Sequence, residues 1–288
     1  MRSDTLYFPL NKITENCYAI TNEKLFGSNA AVIILHDSIF VFDSLYNINH
    51  SILFRKELDK FLLPIKYLLI SHYHGDHIFG IKAFEDINKI ASFKIFKNIE
   101  KRLKTDWSNF KLEQMAANDP KSEWLLDVKI LIPEILFEDK IYIIERKFGD
   151  MHIEIYNTGG HTDCSCFAYF PEDRVIITGD LVFSYQFPYG GDITCNPDKW
   201  IKSLELMLSM DAETFIPRHG PVVGKSEVKK QLDFFINLKN EIISKLKKKK
   251  EYHAIICPDY YEFNEEYPEL KNVSLKKWFD FYSKATYK

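Results

Sequence analysis

Short apolar, β-branched runs set apart by polar residues constrain this chain most. Residues 30–35, Ile39–Phe42 and residues 66–70 are too short and too cleanly bounded for helices, and they read as strands. Over residues 77–88 the spacing of Ile78, Ile81 and Phe84 becomes helical, and a second helix is predicted over about 93–107. Strand signals resume at 141–144, 153–156, Cys166–Phe170 and 175–178. Pro197 then opens a helix running to about Met210, and 214–216 is one more short strand. Strands, helices, strands and helices again imply two sheets sandwiched between helical layers.

From Ser226 the spacing of Val228, Leu232, Phe235 and Leu238 predicts an amphipathic helix that runs into a lysine cluster, Lys245 and Lys247 to Lys250. Lysines at a helix C-terminus suit the macrodipole, so the cluster is read as a solvated end. The aromatic residues that follow, among them Tyr260, Tyr261, Phe263, Tyr267, Trp278 and Tyr282, suit a docked helix, a lid or a subunit contact. The chain is accordingly divided into residues 1–225, which carry the candidate site, and a helical extension, 226–288, packed on the same domain.

Composition narrows the partners. With 46% hydrophobic residues, 11 Gly and 11 Pro, the 288 residues suit a globular core and exclude collagen-like or low-complexity chains. A formal charge of −3 gives no field that draws the protein to nucleic acid or an anionic membrane, so the expected partner is a small molecule, with a homo-oligomer left open. No apolar run approaches the roughly 18 residues of a membrane span. Asp4 stands where a signal peptide needs its apolar segment, and a cytoplasmic location is expected. The five cysteines form no C-x-x-C pair and suit reduced thiols.

The chemistry concentrates in Ser71-His72-Tyr73-His74-Gly75-Asp76-His77, directly after a predicted strand and before a predicted helix. Imidazoles and a carboxylate crowd one turn and point in different directions, more ligands than one metal uses comfortably. Further candidates end other predicted strands: His161 after Gly159-Gly160, Asp180 after Gly179, and His219 before Gly220. Strand-end loops are where such folds collect functional groups, and glycines let the backbone turn a side chain toward a shared centre. His36, His50, His152 and His253 have no such context and read as ordinary histidines.

Taken together, His72-x-His74-x-Asp76-His77, His161, Asp180 and His219 resemble the ligand set of the metallo-β-lactamase superfamily of hydrolases. The resemblance extends over about residues 14–225, through Thr14-Glu15-Asn16-Cys17-Tyr18, Asn29-Ala30-Ala31-Val32-Ile33 and Phe42-Asp43. It implies an α/β chain in a four-layer αββα sandwich. It implies that His72, His74 and His161 bind one metal and Asp76, His77 and His219 a second, with Asp180 shared. The implied cofactor is two Zn²⁺ per chain, Mn or Fe also suiting the ligand types.

Such a site implies hydrolysis of a small-molecule ester, lactone, thioester or amide, a β-lactam included, by a metal-bridging hydroxide, with Asp76 orienting it or taking its proton. Asp43 either orients a ligand or forms a turn. Cys164 and Cys166 lie near His161 but share one face of a predicted strand and read as core.

Departures narrow the subfamily. Phe183 stands where quorum-lactone hydrolases have tyrosine, and residues 181–188 lack the Cys-Gly-Arg-like run of glyoxalase II. Arg218 replaces the usual glycine; it either anchors a substrate carboxylate or pairs with an acid on the protein surface. Tyr185 and Tyr189 are candidates for the wall of a substrate pocket. Two other readings stay open: a mononuclear-iron oxidoreductase like the persulfide dioxygenases, on His72, His161 and Asp180, and a non-catalytic metal-binding sensor.

Overall fold

A computed structural model describes residues 9–21, 28–146, 149–261 and 268–286. The first residues of the chain, Phe263 and Tyr267 lie outside the described residues. The chain divides into two compact units, Met1–Ile153 and Glu154–Lys288.

The first unit holds a seven-stranded sheet in sequence order: β1 (Asn11–Lys12), β2 (Cys17–Ile20), β3 (Ala30–Ile34), β4 (Ile39–Phe42), β5 (Ile65–Leu69), β6 (Asn88–Ser92) and β7 (Ile135–Phe137). Neighbours are antiparallel up to β4 and parallel from β4 onward. The parallel strands need crossovers, which helix α1 (Ile48–Asp59), the short α2 (Gly75–Ile78) and α3 (Phe93–Leu103) supply or join; α4 (Asn109–Asn118) follows. β3 and β4 are buried almost throughout, which explains their unbroken apolar sequence. Helix α1 turns Ile48, Ser51, Phe54 and Leu58 inward, and Phe54 meets Phe84 edge-on at 5.9 Å. Burying a side chain such as Phe54 contributes about 1.5–3 kcal/mol.

The helix expected over 77–88 is broken. α2 starts earlier, at Gly75, and stops at Ile78; a single 3₁₀ turn, Ile81–Phe84, follows. At Gly80 the amide donates to the Leu45 carbonyl at 3.0 Å instead of to the preceding turn, and the backbone packs so closely that an added Cβ would lie 2.1 Å from the Ser44 carbonyl oxygen. Ile78, Ile81 and Phe84 are buried all the same, so the periodicity reported burial correctly. Helix α3 ends at Leu103, before the expected 107, and Ser92 caps its start by accepting from the Ile95 amide. Strands β1, β2, β6 and β7 had no expectation. Lys89 in β6 is buried, with its ammonium donating to the Ile87 carbonyl at 2.7 Å and paired with Glu134 at 3.0 Å.

The second sheet contains β8 (Lys140–Glu145), β9 (Met151–Asn157), β10 (Cys166–Phe170), β11 (Val175–Phe183), β12 (Thr214–His219) and β13 (Val223–Gly224), in the order β13-β12-β11-β10-β9-β8. The division of the chain falls inside β9. In the second unit β9, β10 and β11 pair antiparallel, β12 lies parallel to β11, and α5 (Pro197–Ser209), α6 (Lys225–Lys247) and α7 (Pro268–Thr286) complete the unit. Its core gathers Trp200, Leu204, Phe215, Phe234, Phe235, Leu238 and Trp278.

β11 and β12 outrun their expected ends at 178 and 216. The pairing shifts between Ile177 and Gly179 and again between Gly179 and Phe183, opposite Pro217, which has no N–H to give a ladder. Helix α6 turns Gln231 rather than Leu232 fully inward, because the Gln231 side chain accepts from the Phe183 amide at 2.8 Å and donates to the Leu181 carbonyl at 2.9 Å. Lys247 to Lys250 are exposed, as read. The aromatic tail is a docked helix: Trp278 of α7 lies 4.8 Å from Phe235 of α6. All five cysteines are free. Cys166 starts β10 while Cys164 precedes it, and both are buried.

Candidate metal centre

In the first unit the ligand-type residues sit where β5 ends and α2 begins. His72 is fully buried, His74 is the N-cap residue of α2, and Asp76 and His77 occupy its first turn. The ring centroids of His72 and His74 are 4.5 Å apart, and those of His72 and His77 3.9 Å apart. Rings this close can direct their nitrogens toward a common point, as metal ligands require.

Asp43 organises the loop from the end of β4. Its backbone is left-handed, at φ 62°, and its buried carboxylate accepts from the Ser71 amide at 2.8 Å and the Ser71 hydroxyl at 2.7 Å. It also accepts from Nδ1 of His77 at 2.7 Å. Asp43 thus sits at a turn and hydrogen-bonds both Ser71 and the His77 ring. With Nδ1 donating, Nε2 of His77 carries the lone pair and stands 3.3 Å from an Asp76 carboxylate oxygen. Ser44 steadies the same turn by donating to the His77 carbonyl from its amide and hydroxyl, at 2.9 and 2.8 Å.

Aromatic side chains surround this loop. Tyr46 stacks on Phe79 at 5.7 Å and meets Trp124 edge-on at 4.7 Å. Burial and the nearby Asp76 carboxylate push the Tyr46 phenol above its ordinary range. Tyr46 and Trp124 carried no signal in the sequence, which placed Ser71 in the motif loop without a role.

In the second unit the ligand-type residues come from the loop after β9 (His161), from within β11 (Asp180) and from the end of β12 (His219). His161 follows Gly159 and Gly160, whose φ values of 67° and 133° only glycine adopts readily. A Cβ on Gly160 would lie 2.8 Å from Cα of Trp200, so helix α5 approaches the turn as closely as backbone allows. The buried His161 ring donates from Nδ1 to the Tyr189 carbonyl at 2.9 Å, which leaves the lone pair on Nε2, 3.4 Å from Asp180.

Asp180 rides on the bulged part of β11 and is almost fully buried; its Oδ2 is also 3.5 Å from Nε2 of His219. Phe183 stacks on His219 at 5.1 Å with the planes 12° apart, and Trp200 meets His161 edge-on at 5.3 Å.

Three expected residues fare differently. Arg218 is only 3% exposed. Tyr185, at φ 55°, is exposed, with its amide donating to the buried Glu227 at 3.0 Å and its ring 5.8 Å from Lys230. Tyr189 contributes its carbonyl to His161 and also its ring, edge-on at 6.2 Å to the His161 ring, and burial beside Asp192 and Cys195 pushes its phenol upward. Gln231, Glu227 and Phe183 support the site without having been read as doing so. None of His36, His50, His152 and His253 belongs to a metal-capable group among the described residues.

Residues 24–219 match the family model for the metallo-beta-lactamase superfamily. The chain belongs to that superfamily. Within the superfamily it is 22% identical over 207 residues to a linear primary-alkylsulfatase of a Pseudomonas species, a match covering 62% of this chain and 38% of that protein. The chain thus spans well under half the length of that curated relative. Among solved structures it resembles a metallo-beta-lactamase from Pontibacter korlensis, at a TM-score of 0.61 and 17% identity, covering 80% of this chain and 100% of that one. It also resembles a double mutant of a sec-alkyl sulfatase, at a TM-score of 0.71 and 16% identity, covering 96% of this chain and 50% of that one. These superfamily structures share the α/β fold with two sheets and flanking helices, the class expected from the sequence.

Proposed function

We propose that this chain is a dinuclear zinc hydrolase of small-molecule esters, lactones, thioesters or amides. The observation that carries the reading is the donor geometry. In the first unit the His72 ring lies 4.5 and 3.9 Å from those of His74 and His77, beside Asp76, and in the second Asp180 faces both His161 and His219.

The donor chemistry fits metal. On His77 and His161 the Nδ1–H is given to an acceptor, so the Nε2 lone pair faces a carboxylate oxygen at 3.3 and 3.4 Å respectively. Two lone pairs at that separation repel unless a proton or a cation lies between them, and a cation satisfies both. Imidazole nitrogen and carboxylate oxygen are ordinary ligands of Zn²⁺. Asp180 is the shared ligand of this proposal, and one of its oxygens faces both His161 and His219.

Bound metal supplies Lewis acidity and makes water a nucleophile near neutral pH. The chain's own residues do the rest. Asp43 and the Tyr189 carbonyl hold the His77 and His161 tautomers, Asp76 takes a proton at its carboxylate, and the buried setting of Asp180 keeps its charge from solvent. Arg218 is proposed to anchor a substrate carboxylate, and Tyr185 and Tyr189 to line the substrate's path. The proposed partner is a small molecule, since a net charge of −3 gives no field toward nucleic acid or an anionic membrane.

The test is metal content per chain by elemental analysis, on protein purified without added metal. Two zinc ions per chain support the proposal, and hydrolysis is then screened with esters, lactones, thioesters, β-lactams and, given the alkylsulfatase relative, sulfate esters. One iron per chain overturns it in favour of an iron oxidoreductase.

A further inference from the structure

The residues that fix His161 lead away from the site to the last helix of the chain. The carbonyl that receives the His161 Nδ1–H belongs to Tyr189, and the next amide, of Gly190, donates to the hydroxyl of Ser274 on α7 at 3.0 Å. Ser274 is buried, and its hydroxyl in turn donates to the Leu270 carbonyl at 2.8 Å, which orients it as an acceptor.

The contact continues along residues 189–195. A Cβ on Gly190 would lie 2.5 Å from Nε1 of Trp278, and one on Gly191 would lie 2.6 Å from Cγ1 of Val273, so the loop backbone rests directly on α7. Lys277 donates from its ammonium to the Ile193 carbonyl, and the Trp278 indole hydrogen-bonds the buried Cys195 thiol. At its far end α7 is tied to α5, the helix that carries Trp200, by the Tyr282 hydroxyl donating to Asp198 at 2.9 Å. Two of these ties, from the Gly190 amide to Ser274 and from Lys277 to the Ile193 carbonyl, satisfy and place loop backbone directly.

We infer that α7 is a positioning element for His161. Ser274 and Trp278 hold the backbone of residues 189–195 so that the Tyr189 carbonyl keeps His161 in its Nδ1–H tautomer, with Nε2 as the ligand atom. The inference deepens the proposed function and rests on His161 being a metal ligand. Partners that fix the tautomer of a ligating histidine are worth roughly 10–100-fold in metal affinity, and Ser274 acts one hydrogen bond further out.

The experiment uses the full chain with Ser274→Ala, Ser274→Thr, Trp278→Phe and His161→Ala. Zinc affinity is measured by competition with a chelating indicator, and the His161 ring tautomer of the metal-free protein by ¹⁵N NMR. Ser274→Ala and Trp278→Phe are expected to weaken one of the two zinc sites about tenfold and to shift His161 away from the Nδ1–H tautomer. Ser274→Thr, which keeps the hydroxyl, restores both.

Unchanged zinc affinity and an unchanged tautomer in both α7 variants overturn the inference. Trp278→Phe retains an aromatic ring in the core, so a folded variant is available should Ser274→Ala lose stability. The His161→Ala protein separates the two readings. If it binds zinc as tightly as the wild type, the proposed ligand set fails; if it loses zinc while the α7 variants do not, only the role of α7 fails.

Discussion

The two units solve the same problem, aiming imidazoles and carboxylates at a point, in opposite ways. In the first, His72, His74, Asp76 and His77 share one turn, and a single buried carboxylate, Asp43, holds Ser71 and His77 together. In the second, His161 in a loop, Asp180 within β11 and His219 at the end of β12 come from separate stretches of chain. Each is kept in place by groups distant in sequence: the Tyr189 carbonyl for His161, the β11 bulge with Gln231 beyond it for Asp180, and Phe183 stacking for His219. A local cluster needs one orienting residue because the chain itself sets most distances. A dispersed one needs three helices and a set of buried hydrogen bonds, each an unmade-bond penalty of about 1–3 kcal/mol when lost.

The contrast is sharpest at Asp180, which faces two histidines of the dispersed set. Asp180→Ala is expected to abolish turnover and weaken zinc binding by more than about 100-fold, a larger loss than removal of an outer partner brings; zinc content and turnover on an active panel substrate check it together. His253→Ala, whose ring lies outside both ligand groups, is expected to change neither.

Gly160→Ala comes next. It places a Cβ at φ 133° against Trp200 and is expected to destabilise by about 3 kcal/mol, read as a lowered denaturant midpoint. Gly80→Ala in the first unit meets the Ser44 carbonyl and is expected to lose a similar amount, so a loss confined to one of them would break the symmetry of backbone crowding in the two regions.

Asp43→Asn sharpens the comparison from the other side. It is expected to weaken the site holding His77 by about 10–100-fold while leaving the His161 tautomer unchanged by ¹⁵N NMR.

The smallest effect is expected at Glu145, which ties β8 to the turn between β3 and β4. Burial pushes its carboxyl up, but hydrogen bonds from the Asp37 amide, the Ser38 hydroxyl and Lys66 outweigh that and hold it below the usual range. Its stabilisation is therefore present above the unfolded value, about pH 4.3, and is lost as pH falls through the lower folded value. Glu145→Gln is expected to remove about 1 kcal/mol at pH 7 and to flatten the acid limb of a stability–pH curve.

Particular residues show where sequence reading succeeds. The motif loop was legible because its ligand types are adjacent and follow a strand signal. His161, Asp180 and His219 were legible through their flanking glycines and, as a set, through family resemblance. Strand β11 was cut short at Thr178 because Gly179 reads as an end, whereas a bulge absorbs its φ of 53° and carries the strand through Asp180 to Phe183. Leu232 was read as inward by periodicity, but the backbone of residues 181–183 needed a donor and an acceptor, and Gln231 supplies both. Tyr189 was read through its ring; its carbonyl does the holding, and a carbonyl has no residue-specific signature.

The sequence by itself determined the elements that local pattern controls: two strand-rich halves, an amphipathic α6, and a turn crowded with metal-ligand side chains. These follow from hydrophobic period and residue chemistry over a few neighbouring positions. Only the tertiary structure decided which backbone carbonyl fixes His161, where β11 bulges, and that α7 lies against the loop 189–195. Those outcomes depend on hydrogen bonds and close approaches between residues as far apart as Gly190 and Ser274, and backbone groups, identical at every position, leave no trace of them in the order of side chains.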